Sequence, residues 1–218
     1  MNLPTKITVS RIAAIVILIL ALFVLSMIKV ANPSFEVMVF GNSGINLVFL
    51  IVFIFFLIAS YTDHLDGYLA RKNNQVTSLG KFLDPVADKL LINSMVIFLT
   101  APAVFASYIP GAENVAHFSV WCAIILVARD TVVDALRFIA AEKGVVIAAN
   151  IFGKLKTVLE MIAICFVLLN GWPFIYFDAD WPVRIVDILV YLATLTSVIS
   201  GVIYVVQNRH VLAEKKEK

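Results

Sequence analysis

Six apolar runs, each near the ~20 residues a helix needs to cross a hydrocarbon core, divide this sequence. They are Ile12–Ile28, Ile45–Tyr61, Leu83–Ala101, Phe118–Ile139, Ile151–Leu169 and Val183–Val206. Hydrophobic residues make up 61% of the chain and charged residues only 15%, with a mean hydropathy of +0.97. Soluble proteins carry roughly a quarter charged residues. The expected fold is therefore all-α, a polytopic membrane protein with six transmembrane helices in a single domain over residues 1–218.

Lys6 and Arg11 precede the first run as they would in a secretory signal. No small-residue cleavage site follows, so that span is expected to be retained. The formal charge of +2 gives no case for a nucleic-acid partner. Cys122 and Cys165 fall inside apolar runs and are expected to act as small hydrophobes.

Charge distribution orients the chain. Six spans put both termini on one side. Of the 17 Lys and Arg residues, all but Lys29 and Arg184 fall on that side or at its span ends. By the positive-inside rule the termini are cytoplasmic. The opposite loops, Ala31–Gly44, Pro102–His117 and Gly171–Pro182, hold Pro, Gly, Asn and aromatics, with Trp172 and Trp181 as expected interfacial anchors.

Several spans are not clean. Asp63 and Asp66 follow the second run, Asp84 and Asp88 open the third, and Arg129, Asp130, Asp134 and Arg137 interrupt the fourth. Ionisable residues at membrane depth are costly and usually functional. Asp63, Asp66, Gly67, Ala70 and Arg71 share one helical face, as do Gly80, Asp84 and Asp88. The short connection makes the two helices antiparallel neighbours with facing acids. Clustered carboxylates need cations, and hard divalent metals are the natural ones.

Small residues share these stripes. Gly67, Ala70 and Gly80 leave a slot where a flat group can approach the backbone. Arg71 offers a fixed fork suited to phosphate. Acids, metals, slot and arginine together describe a site for a nucleotide diphosphate ester, in which metals bridge phosphoryl oxygens. A lone Asp-x-x-Asp is usually a solvated helix face, and small residues in membrane helices are usually packing notches. The two halves together are far more specific. The class-level rival is a cation transporter, which would not need the small residues and Arg71 on the acidic stripes.

The full pattern, Asp63-x2-Asp66-Gly67-x2-Ala70-Arg71-x8-Gly80-x3-Asp84-x3-Asp88, resembles the signature of the CDP-alcohol phosphotransferase family. That resemblance implies a six-helix membrane enzyme that transfers a phosphatidyl or related group from a CDP-linked donor to an alcohol and releases CMP. It implies two divalent metal ions, Mg2+ with Mn2+ as the alternative, held by Asp63, Asp66, Asp84 and Asp88. It makes Asp88 the general base. Donor binding would fall to Asp66, Gly67, Ala70, Arg71 and Gly80. A homodimer is implied as well.

The resemblance extends beyond the acids. Asn2 to Arg11 is similar to a short N-terminal amphipathic segment in bacterial members that use glycerol 3-phosphate as acceptor and CDP-diacylglycerol as donor. Arg129-Asp130 with Arg137 resembles a segment those enzymes usually write Arg-Glu. Gly153-Lys154-Leu155-Lys156-Thr157 matches their Gly-Lys-x-Lys-Thr, and Ser200-Gly201-x2-Tyr204 resembles their last helix. A dianionic acceptor needs cations, so Arg129, Arg137, Lys154 and Lys156 are the expected acceptor contacts. The competing account of these residues is positive-inside anchoring at helix ends. His64 stands where Trp is common, Asp130 replaces Glu, and Asp134 adds an acid. Acceptors used elsewhere in the family, phosphatidylglycerol, inositol phosphate or serine, are the nearest rivals. The extra cations argue against neutral or zwitterionic ones.

Overall fold

The computed structural model describes residues 2–32, 38–40, 45–72, 77–101, 116–145, 151–174 and 184–209. Among them are six helices: α1 (Leu3–Ala31), α2 (Leu47–Lys72), α3 (Ser78–Phe98), α4 (Val120–Glu142), α5 (Ile151–Leu168) and α6 (Ile185–Gln207). A two-residue antiparallel pair, β1 (Val39–Phe40) and β2 (Ile45–Asn46), precedes α2. The architecture is otherwise helical, as the apolar runs predict.

Local chemistry sets the helix starts. Asn46 caps α2: its Oδ1 accepts the Phe49 backbone N–H at 2.7 Å. Thr77 caps α3 through its Oγ1, which accepts the Gly80 N–H at 3.0 Å. Pro4 stands in the first turn of α1, where a missing N–H costs nothing. The short N-terminal amphipathic segment is continuous with the first apolar run and forms the beginning of α1. Neither Gly nor Pro interrupts the chain between Thr5 and Ala31, so the helix runs on unbroken.

Helix α1 packs on α2 and α3, while α6 packs on α5 and α4; α2 and α3 join the two groups through α5. Ile15, Phe49, Phe56, Met95, Leu99, Phe118, Leu126, Ile164 and Leu168 lie at the centre, each fully buried. The periphery is just as apolar. Trp121 is 75% exposed, Phe138 70% and Ile17 66%. An apolar outer surface on this scale has no stable place in water and marks a lipid-facing boundary.

Among the described residues two helices are long and apolar enough to cross a membrane, Thr5–Ala31 and Ile185–Gln207, and Leu47–Asp63 forms a shorter apolar stretch of α2. The other helices carry the charges that make up the candidate site, which lowers their hydropathy. Cys122 is buried and Cys165 half-buried, both as free thiols. Trp172 is 44% exposed at the end of α5; Trp181, most of the loop residues named above, and the basic residues beyond Arg209 lie outside the described set.

Candidate active site

The acidic motif folds as the spacing predicts, onto two consecutive helices. Asp63 is near the end of α2, and Asp84 and Asp88 lie in the first half of α3. Asp63 and Asp88 are within electrostatic reach of one another and repel. Asp66, Ala70 and Arg71 belong to α2, but their side chains, like that of His64, lie outside the described set. Gly67 is half-buried. Gly80 faces two hydroxyls: a Cβ there would stand 3.1 Å from Thr77 Oγ1 and 3.6 Å from Thr5 Oγ1.

Helix α1 supplies partners that pattern reading missed. It buries Thr5, Thr8 and Arg11, at 3%, 1% and 5% exposure. These residues recur at three-residue spacing, so they form one face. Thr5 Oγ1 lies 3.0 Å from Thr77 Oγ1. Thr8 Oγ1 donates to Asp84 Oδ1 at 3.0 Å. The Arg11 guanidinium donates through Nη1 to Asp63 Oδ1. A helix that buries its polar stripe while leaving Val9 and Ile17 outside is turned toward charged partners.

The donor set of the motif is carboxylate oxygen, the class that hard divalent cations take. Among the described residues no three metal-ligating side chains gather as one cluster; Asp66, the fourth expected ligand, has its side chain outside that set. On donor chemistry the residues fit a divalent cation.

A cavity of about 390 Å³ opens beside Asp88 and is lined by Lys89, Arg129, Asp130, Asp134, Arg137, Lys154, Lys156 and Tyr204 among others. All four expected acceptor contacts thus share one cavity with the expected base. They are not equivalent. Lys156 is only 3% exposed; its Nζ donates to both Asp130 oxygens at 2.9 Å and pairs with Glu160, which is fully buried. Both Glu160 oxygens are without an aligned hydrogen bond, so that contact is ionic rather than directional. Arg129 donates through Nη1 to Asp130 at 2.9 Å and through Nη2 to Ser200 Oγ at 2.7 Å. Arg137 and Lys154 are exposed to the cavity and its mouth.

The last helix explains how the arginines are held. Arg129 passes over Gly201, where a Cβ would stand 2.9 Å from its Cγ. Arg137 Nε donates to Tyr204 Oη at 3.0 Å, and its guanidinium carbon lies 5.5 Å from the Tyr204 ring centroid. Ser200, Gly201 and Tyr204 therefore form a cradle on α6. Lys89, next to Asp88 in sequence, bridges Asp130 at 3.2 Å and Asp134 at 3.1 Å. Its i+1 position hid that role in the sequence.

The cavity continues into an apolar groove of about 740 Å³ between α3 and α4. Lys89, Asp134 and Arg137 line both, and Phe82, Val86, Leu90, Ile97 and Phe138 line the groove.

A family model described as CDP-alcohol phosphatidyltransferase matches residues 1–206. The CDP-diacylglycerol–glycerol-3-phosphate 3-phosphatidyltransferase of Bacillus subtilis is 37% identical over 95% of this chain and 95% of its own length. The proteins of the same name from Mycoplasma pneumoniae and Rickettsia bellii are 38% and 34% identical. They cover 94% and 93% of this chain, and 87% and 93% of their own lengths.

Proposed function

This chain belongs to the CDP-alcohol phosphatidyltransferase family, and we propose that it transfers the phosphatidyl group of CDP-diacylglycerol to glycerol 3-phosphate. The products are phosphatidylglycerophosphate and CMP, a step of phospholipid biosynthesis. The relatives' names support the reaction. The observation that carries the acceptor is the cavity in which Asp88 faces Arg129, Arg137, Lys154 and Lys156. Among its described lining residues five are basic and three acidic. That excess of basic side chains suits an anionic acceptor.

Asp88 takes the proton of the acceptor's 1-hydroxyl as its oxygen bonds to the phosphorus that bears the lipid, and the bond from that phosphorus to CMP breaks. Asp63, Asp66, Asp84 and Asp88 would hold two divalent cations, Mg2+ in our reading, which when bound would offset charge on the pyrophosphate as CMP departs. Gly67 and Ala70 would leave room for the cytidine and Arg71 would meet the donor phosphates, whereas Gly80, expected beside them, points at Thr77 and Thr5 and instead lets α1 approach α3 closely. Arg137 and Lys154 grip the acceptor's phosphate. Arg129 and Lys156, fixed by Asp130, form the wall behind it. The groove along α3 and α4 opens the cavity to the lipid side, as a substrate with acyl chains requires.

The same reading makes the chain a multi-pass, six-span protein of the cell membrane. Both termini and the site are cytoplasmic, and the chain pairs as a homodimer. The test is purified protein with CDP-diacylglycerol and glycerol 3-phosphate. CMP and the lipid product should appear together, stop on chelation and resume with Mg2+. Product from phosphatidylglycerol, inositol phosphate or serine instead would reassign the acceptor. Metal flux without CMP release would point to transport.

A further inference from the structure

We propose that Arg11 is the built-in counter-ion of Asp63 and releases that carboxylate when a divalent cation binds. The inference rests on the reading of Asp63 as a cation ligand, and it adds a residue of α1 to that site.

The argument starts from burial. Arg11 is 5% exposed, and a buried charge persists only when it is paired. One of its partners is Asp63 on α2, and it makes further contacts that remain when this one opens. Asp63 is differently placed, with 40% of its side chain exposed. An ion arriving from solvent can reach the carboxylate while the arginine approaches from the protein side.

Electrostatics supplies the rest. Asp63 and Asp88 repel across the α2–α3 pair. In the chain without a metal, the guanidinium offsets that repulsion at Asp63. A divalent cation among the same acids would do the same work with twice the charge, and it would draw on the same carboxylate. The two cations therefore compete. One turn earlier on the same face, Thr8 holds Asp84 by a neutral hydrogen bond. This bond adds no competing charge and keeps α1 attached to α3 when Arg11 lets go. The first helix thus touches both halves of the acidic motif, and only its arginine contact is expected to open.

Direct metal binding tests this without reference to turnover. Mn2+ is titrated into purified wild type, Arg11→Gln and Arg11→Lys, and free Mn2+ is followed by electron paramagnetic resonance. Loss of a competing unit charge at close range should tighten binding by about tenfold or more in Arg11→Gln. Arg11→Lys keeps the charge and should stay near wild type. Equal or weaker binding by Arg11→Gln overturns the proposal and leaves the metal reading intact. No Mn2+ binding by any form removes both.

A second measurement needs no variant. Saturating Mn2+ should raise phenylglyoxal modification of Arg11 in the wild-type protein, read by mass spectrometry. Unchanged or reduced labelling of Arg11 contradicts its release.

Discussion

The side chain of Arg129 crosses α6 at Gly201, so closely that a Cβ there would lie 2.9 Å from the arginine Cγ. The contact is with the base of the side chain rather than its flexible tip, so an added methyl group must move the whole guanidinium. In Gly201→Ala the bonds from Arg129 to Asp130 and Ser200 should be disturbed. Replacing Gly by Ala inside a helix ordinarily stabilises by roughly 0.5–1 kcal/mol. Disturbing the largely buried Arg129–Asp130 pair should outweigh that gain. Thermal stability should fall, and kcat/KM for glycerol 3-phosphate should fall about tenfold, the size of one displaced contact.

Arg137→Ala should lower efficiency with glycerol 3-phosphate by about 10- to 150-fold, because a charge-assisted contact is worth roughly 1.5–3 kcal/mol. Binding of CDP-diacylglycerol alone should hardly move. Tyr204→Phe keeps the ring beneath the guanidinium but removes the 3.0 Å bond to Nε. It should cost only about 2- to 12-fold, the range for one ordinary hydrogen bond. Equal effects of the two variants would mean that Arg137 does not touch the acceptor.

Asp88→Asn removes the proposed proton acceptor and should reduce turnover by about 10²–10⁴-fold. Donor binding should largely survive, since the remaining acids and Arg71 are untouched. Retention of more than about a tenth of turnover would show that another group takes the proton.

Lys156 is a matter of stability as much as of binding. Lys156→Met leaves Asp130 and the fully buried Glu160 without their main cation. Breaking a buried ion pair from one side costs about 3–5 kcal/mol. The check is unfolding in detergent, where the added substitution Glu160→Gln should recover part of the loss. Full stability in the single variant would show that Asp130 and Glu160 are satisfied by other means.

Most of the fold was legible because helix periodicity and span length are local properties. The pattern from Asp63 to Asp88 placed its acids on two consecutive helices, and the eight-residue spacing of Arg129 and Arg137 placed both on one face of α4. Periodicity tells which face a residue occupies but not what that face meets. The pairs Arg11–Asp63, Arg129–Ser200 and Arg137–Tyr204 join residues 52, 71 and 67 positions apart, so they were not readable from spacing. Asp130 was legible as a departure from a Glu, but not as the partner of Lys156. The N-terminal segment runs on into α1, and its polar stripe points inward, at Thr77, Asp84 and Asp63, which spacing alone could not show.

The central claim is that the cavity beside Asp88 recognises a dianionic alcohol, and the most direct measurement compares glycerol 3-phosphate with glycerol as acceptors under saturating CDP-diacylglycerol. Glycerol has the same hydroxyls and lacks the phosphate. Two charge-assisted contacts, from Arg137 and Lys154, predict a preference for glycerol 3-phosphate of at least about a hundredfold in kcat/KM. Arg137→Ala should narrow that preference. Comparable efficiency with the two acceptors, unaltered in Arg137→Ala, would contradict the account.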